Sequence, residues 1–157
     1  MRITPAWDDF FSRMFRWIFK LGDRMRDRAR RKGETATFAS GRRGEDLAHR
    51  YLQARGYRVV ARNFRTRTGS AEIDIVARKE DAFVFVEVKS RDSADFGSPG
   101  RSIDKEKELR IMRAAAEYLR RADAAQEQAR FDVVNVILGG QPSIEHIEDA
   151  FYFPRAV

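Results

Sequence analysis

The chain has 157 residues, enough for one compact domain and an extension, and it has no cysteine, which excludes disulfides, thiolate metal sites and cysteine nucleophiles. Its net charge of +7, with 35% of residues charged, points to a polyanionic partner, either nucleic acid or an anionic membrane surface. Two histidines, His49 and His146, are too few for a histidine-rich zinc site, no apolar run approaches a membrane span, and a cysteine-free chain fits a reducing compartment, so the expected location is the cytoplasm.

The first block, Pro5 to Lys32, reads as an amphipathic helix. Trp7, Phe11, Met14, Ile18, Leu21 and Met25 form an a/d seam, widened by Phe10, Phe15 and Phe19. Asp8 and Asp9 complement the dipole at its start, and its far end, Arg24 to Lys32, is strongly basic. Such a helix packs on the domain or on a copy of itself, lies on an anionic membrane through residues 1–32, or clamps nucleic acid; the pattern leaves these open. It lacks the continuous apolar core and small-residue cleavage site of a secretory signal. Gly33 to Ser40 reads as a linker, so residues 1–40 are expected to form the extension and 41–157 the domain.

After Gly41 a helix is expected, with Leu47, Ala48, Tyr51 and Leu52 on its apolar face and Gly56 as its stop. Glu45, near the helix start, reads either as a first-turn carboxylate complementing the dipole or as a site residue. Tyr57 to Phe64 is a strand, and Arg65 to Ser70 a basic turn. Ala71 to Ser90 reads as two strands joined by a polar turn at Lys79–Asp81, and Arg91 to Gly100 as a loop suited to contacting substrate. A helix follows from Asp104, its cap, to Ala122. Leu109, Met112, Ala116 and Leu119 face inward, flanked by Ile111, Ala115 and Tyr118. Lys105, Lys107, Arg110 and Arg113 fall on the exposed side, as a solvated face or a phosphate-facing edge. After a polar connection come strands at Phe131–Leu138 and Ser143–Glu148, and an aromatic end, Phe151 to Pro154, that folds back on the core. This order implies an α/β domain with a central sheet flanked by helices.

The hairpin carries the chemistry. Ile73, Ile75 and Ala77 alternate with Glu72, Asp74 and Val76; Val84, Val86 and Val88 alternate with Phe83, Phe85, Glu87 and Lys89. β-Branched and aromatic residues on both faces mark the strands as buried. Glu87 and Lys89 share a face, and Asp74 joins them if the hairpin pairs in register. Charges inside a buried sheet are costly unless paired or bound to metal. Carboxylate oxygens are hard ligands that suit Mg2+ or Mn2+, with water and substrate phosphate in the remaining positions. Asp74, Glu87 and Glu45, with the Val88 carbonyl, are the candidate ligands. An ion there acidifies a water and withdraws charge from a phosphodiester, while Lys89 orients the water, helps it ionise or neutralises the transition state. The competing reading is a strand-surface ion pair between Glu87 and Lys89 beside a surface Asp74.

Several segments in order also resemble a known family: Gly41-Arg42-Arg43-Gly44-Glu45, Gly56-Tyr57, Asn63-Phe64-Arg65, Glu72-Ile73-Asp74, Phe85-Val86-Glu87-Val88-Lys89-Ser90-Arg91 and Arg130-Phe131-Asp132-Val133-Val134. They follow the pattern of the YraN-like proteins, small bacterial proteins, over about Gly41 to Phe151. The resemblance implies a restriction-endonuclease-like core with a central mixed sheet, similar to the PD-(D/E)XK nuclease superfamily and, within it, archaeal Holliday-junction resolvases. It places the helix carboxylate on Glu45, the metal-binding Asp on Asp74 and the (D/E)-x-K on Glu87 and Lys89. Glu72 and Asp132 match family positions without a catalytic role, Asp132 as a structural residue. Ala71 stands where the family usually has Gly.

The implied function is a Mg2+- or Mn2+-dependent endonuclease that hydrolyses branched or structured DNA, with no small-molecule cofactor. Arg42, Arg43, Arg65, Arg67, Arg91 and Lys105 are the candidate nucleic-acid contacts. A homodimer is the expected assembly for a nuclease that cuts two strands. The alternatives are a non-catalytic DNA- or RNA-binding module with this fold, and a membrane-peripheral or scaffold protein acting through the N-terminal helix.

Overall fold

The computed structural model describes residues 36–92 and 104–153. The expected helix at Pro5–Lys32 and most of the loop at Arg91–Gly100 lie outside the described residues.

Two helices and five strands follow one another as α1 (Ala36–Ala54), β1 (Arg58–Arg65), β2 (Glu72–Lys79), β3 (Ala82–Arg91), α2 (Lys105–Arg121), β4 (Ala129–Ile137) and β5 (Ser143–Phe151). The strands form one sheet in sequence order. Its first three strands are antiparallel, β3 and β4 run parallel, and β5 returns antiparallel to β4. The parallel step needs a crossover, which the segment holding α2 supplies. The sheet is therefore mixed and the fold α/β, as the sequence order implies.

Helix α1 begins at Ala36, so Ala36 to Ser40 is helix where the composition reads as linker. Glycines at 41 and 44 make that stretch look like a break. Gly44 instead serves packing: a Cβ there would lie 2.4 Å from the Ser90 Cβ, so its bare backbone lets α1 sit directly on β3. The helix stops as expected. Gly56 takes φ +80°, and the Tyr57 N–H donates to the Leu52 carbonyl at 3.0 Å, which closes the last turn.

One sheet face packs Ile75, Ala77, Val84, Val86, Val134 and Val136 against Ala48 and Leu52 of α1. The other carries Phe85 and Phe131, and α2 covers it. The Tyr118 ring meets Phe64, Phe83 and Phe85 edge-on at centroid distances of 5.1, 5.9 and 5.8 Å. Phe85 and Phe131, both fully buried, each contribute about 1.5–3 kcal/mol from removal of apolar surface from water.

The buried face of α2 is Ile111, Ala114, Ala115, Tyr118 and Leu119, and Leu109 is half exposed. The expected seam through Leu109, Met112 and Ala116 is thus rotated: the aromatic ring cluster draws Tyr118, not Leu109, to the centre. Asp104 occupies the N-cap position but makes no side-chain capping bond. At the C-terminus Phe151 and Phe153 do fold back, both packing on Phe131 at 4.8 and 5.0 Å.

Candidate functional site

The hairpin between β2 and β3 pairs from Lys79↔Ala82 to Ile75↔Val86 and then opens. Beyond that point β2 continues against β1 alone, through Ile73↔Phe64 and Glu72↔Arg65. β3 continues against β4 alone, through Glu87↔Val133 to Arg91↔Ile137. The sheet forks, and Asp74 and Glu87 are the first residue on each arm. Continuing the register one step sets them opposite each other on the α2 face, with Lys89 two residues along on the same face. Ala71 leaves this register intact, because Thr66 closes the preceding turn: its backbone N–H donates to the Ala71 carbonyl at 3.0 Å, and its Oγ1 accepts from the Ala71 N–H at 3.2 Å.

At the fork a side chain takes over from the ladder: Asp74 Oδ2 accepts the Val88 N–H at 2.8 Å. Burial, and next the neighbouring Glu87 charge, push the Asp74 carboxyl up to about 8; Glu45 raises it further, against the Val88 bond and Lys107. Glu87 is 11% exposed; its Oε1 lies 3.1 Å from Lys107 Nζ, and its buried Oε2 has no hydrogen-bond partner. Lys89 is half-buried and aligned with Asn135 of β4.

Glu45 reaches the fork from α1. The longer helix puts it well inside the element, and no acidic residue stands in the first turn, so it does not complement the dipole there. Its Oε2 accepts from Asn63 Nδ2 at 3.0 Å and Arg62 Nη2 at 3.4 Å. Asn63 takes φ +48°, a left-handed conformation inside a strand that Asn tolerates better than most residues. Its amide is thereby turned to the carboxylate.

The structure thus brings Asp74, Glu87 and Lys89 to one face of the fork. Glu45 borders them, near enough to act on Asp74 through charge but tied to β1. Among the described residues no group of three or more His, Cys, Asp or Glu side chains is arranged to hold a metal ion. A divalent ion would draw on Asp74, Glu87 and the Val88 carbonyl, with water and substrate filling the rest. That donor set fits: two part-buried carboxylates repel each other, and the buried Oε2 of Glu87 lacks a hydrogen-bond partner.

The basic candidates fall largely at this end. Arg42 and Arg43 precede Glu45 on α1, Arg65 ends β1, Arg91 ends β3, and exposed Lys105 opens α2. Arg65 is paired with Glu72 at 3.0 Å. Arg67 sits in the turn between β1 and β2, its backbone N–H donating to Glu117 Oε1 at 2.9 Å. Arg62, Asn63 and Lys107 also belong to the site, and composition and strand alternation do not reveal them. A cleft of about 580 Å³ lies at the hairpin end, beside Arg55, Lys79 and Arg130, away from the fork. Its cations are engaged: Lys79 donates to the Arg55 carbonyl at 2.7 Å, Arg55 stacks on Tyr51 at 3.6 Å, and Arg130 binds Asp132 at 2.8 Å.

A sequence model described as "Uncharacterised protein family UPF0102" matches residues 44–136, the span from the helix glycine to β4. The chain belongs to that family. Its members include the UPF0102 protein of Solibacter usitatus, 46% identical over 134 residues, which cover 85% of this chain and 97% of that protein. Another, from Desulfosudis oleivorans, is 47% identical over 71% of this chain and 88% of its own length. A third, from Rhodococcus jostii, is 45% identical over 72% of this chain and 96% of its own. The YraN-like resemblance is borne out. Among the described residues no helix is long and apolar enough to cross a membrane.

Proposed function

We propose that this UPF0102 protein is a metal-dependent nuclease of the PD-(D/E)XK type, hydrolysing phosphodiester bonds in branched or structured DNA. The observation that carries this reading is the fork. Two part-buried carboxylates face each other by register where the sheet opens, one with its proton affinity raised and one with an orphaned oxygen, and a lysine shares their strand face. A structural carboxylate pair would be expected to satisfy both partners.

Asp74 and Glu87 would hold Mg2+ or Mn2+, with Glu45 setting the local charge from α1. When bound, the ion supplies Lewis acidity to the phosphodiester and lowers the pKa of the attacking water. Lys89, on the face shared with Glu87, orients that water and offsets the charge that builds on the phosphate oxygens. Asn63 and Arg62 hold Glu45 in place. Arg42, Arg43, Arg65, Arg91 and Lys105 surround this end of the sheet with positive charge and position the backbone, and Arg67 extends that surface along the turn.

The test is cleavage of labelled linear, single-stranded, flap and four-way-junction DNA with Mg2+ or Mn2+, comparing wild type with Lys89→Ala. Wild type is expected to cut at least one substrate. Lys89→Ala should bind the same DNA with unchanged affinity and cut it about 100-fold more slowly or worse. If neither protein cuts and both bind with a steep salt dependence, the chain is a binding module and the catalytic assignment is wrong.

A further inference from the structure

The sequence pattern puts Lys107 on the solvated side of α2, but it lies at the edge of that helix's buried face and is only partly exposed. It shares a helical stripe with Ile111, Ala114 and Tyr118, three of whose members pack on the sheet. Its own side chain is 37% exposed, and its ammonium sits 3.1 Å from Glu87 Oε1. Its charge also lowers the proton affinity of Asp74, so it is felt across the fork.

We infer that Lys107 is a resident counter-cation of the carboxylate fork, and that a divalent ion enters by exchange, displacing its ammonium from Glu87. The inference rests on the metal-binding reading above and deepens it. Two facts force the exchange. The ammonium already engages Oε1 of Glu87, and an ion drawing on both Glu87 and Asp74 would stand within a few ångströms of it, where like charges in a low-dielectric site repel strongly. The stem can yield: Lys107 lies in the first turn of α2, is partly exposed, and is held by one ion pair. A displaced lysine has four methylenes of reach and remains beside the fork, where a phosphodiester would present its oxygens. The same side chain thus offsets the Glu87 charge when the site is empty of metal and adds positive charge toward the substrate once metal is bound.

The experiment is calorimetric titration of Mn2+ alone into the full chain at pH 8.5, comparing wild type, Lys107→Met, Lys107→Gln and Lys107→Arg, each checked for an unchanged circular dichroism spectrum. Removing the competitor is expected to tighten Mn2+ binding about tenfold or more in the Met and Gln variants, with Arg close to wild type. In parallel, Mg2+ is titrated into wild type while the lysine ε-methylene carbon signals are followed by NMR. The Lys107 signal, assigned by its loss in Lys107→Arg, should shift with the same midpoint as metal binding.

If wild type binds Mn2+ but the Met and Gln variants bind no tighter, or the Lys107 signal does not move, exchange is overturned and the metal site stands. If wild type and variants all fail to bind Mn2+, or Glu87→Gln binds as well as wild type, the metal site itself is wrong and exchange falls with it.

Discussion

Two aspartates of the sheet, one buried and one part-buried, are treated in opposite ways. Asp132 on β4 is 0% exposed and fully partnered. Arg130 donates to it through Nε at 2.9 Å and Nη2 at 2.8 Å, His146 Nε2 lies at 2.7 Å, and the Asp149 N–H donates at 3.0 Å. Asp149 can do so because the β4–β5 register shifts between Phe131 and Val133 and Asp149 itself turns to φ +52°. Arg130 is held in turn by Tyr57 at 2.6 Å and Glu148 at 3.2 Å. Burial alone would raise the Asp132 carboxyl, but the bonds from His146, Arg130 and Asp149 hold it below the usual range. Asp74 has one backbone donor and a second carboxylate for a neighbour, and it goes up. The first is a finished structural device. The second is a site short of positive charge, and that shortage is what a metal ion or a lysine relieves.

The largest effect expected from breaking this contrast is at Asp132. Asp132→Ala takes the buried partner from His146 and from Arg130, which keeps only Tyr57 and Glu148, and should cost about 3–5 kcal/mol in denaturant unfolding. The pH dependences should also oppose each other. Asp132, depressed in the fold, adds stability above its unfolded pKa that is lost as pH falls. Asp74, raised from 3.8 to about 8, binds its proton more tightly folded than unfolded, so its burial becomes a growing cost as pH climbs through that window. Asp74→Asn, which can still accept the Val88 N–H, should therefore leave stability near wild type at pH 4. It should add about 2–4 kcal/mol at pH 9 without metal. A gain that is independent of pH would mean that Asp74 is not the strained carboxyl.

How legible this contrast is from sequence differs between its two halves. The fork follows from alternation: Asp74, Glu87 and Lys89 are fixed on one face once the hairpin pairs in register, and the apolar flanks mark that face as buried. Asp132 is harder to read, since nothing in the spacing reveals that a two-residue shift on β5 brings His146 and Asp149 to it. Lys107 was hidden by helix phase. Leu109–Met112–Ala116 and Ile111–Ala115–Tyr118 are both plausible stripes, and only the rings of Phe64, Phe83 and Phe85 choose between them. The start of α1 was hidden by Gly41 and Gly44, because a glycine kept for close packing looks the same in sequence as one kept for a turn.

Gly44 offers the smallest and most local way to sharpen the comparison, because it acts at the fork and not at Asp132. Two effects oppose each other in Gly44→Ala. Helix propensity favours alanine by about 1 kcal/mol. Against it, the new Cβ would meet Ser90 Cβ at 2.4 Å and Oγ at 2.9 Å, and Ser90 Cβ is anchored to a strand paired with β4 and cannot swing aside. Overpacking of that kind costs about 1–3 kcal/mol, so the clash wins by a modest margin. The net loss should be about 1 kcal/mol, the difference between those two figures. Because both close contacts are with the Ser90 side chain, Ser90→Gly should restore most of it, and a double-mutant cycle should give a favourable coupling of about 1–2 kcal/mol. The lift of α1 also draws Glu45 from Asn63, one residue from the clash, so metal binding at the fork should weaken while the His146 ring signals in NMR stay in place. Changes of equal size at both carboxylates would show that α1 moves as a whole, and that Gly44 sets the helix position and not the local geometry of the fork.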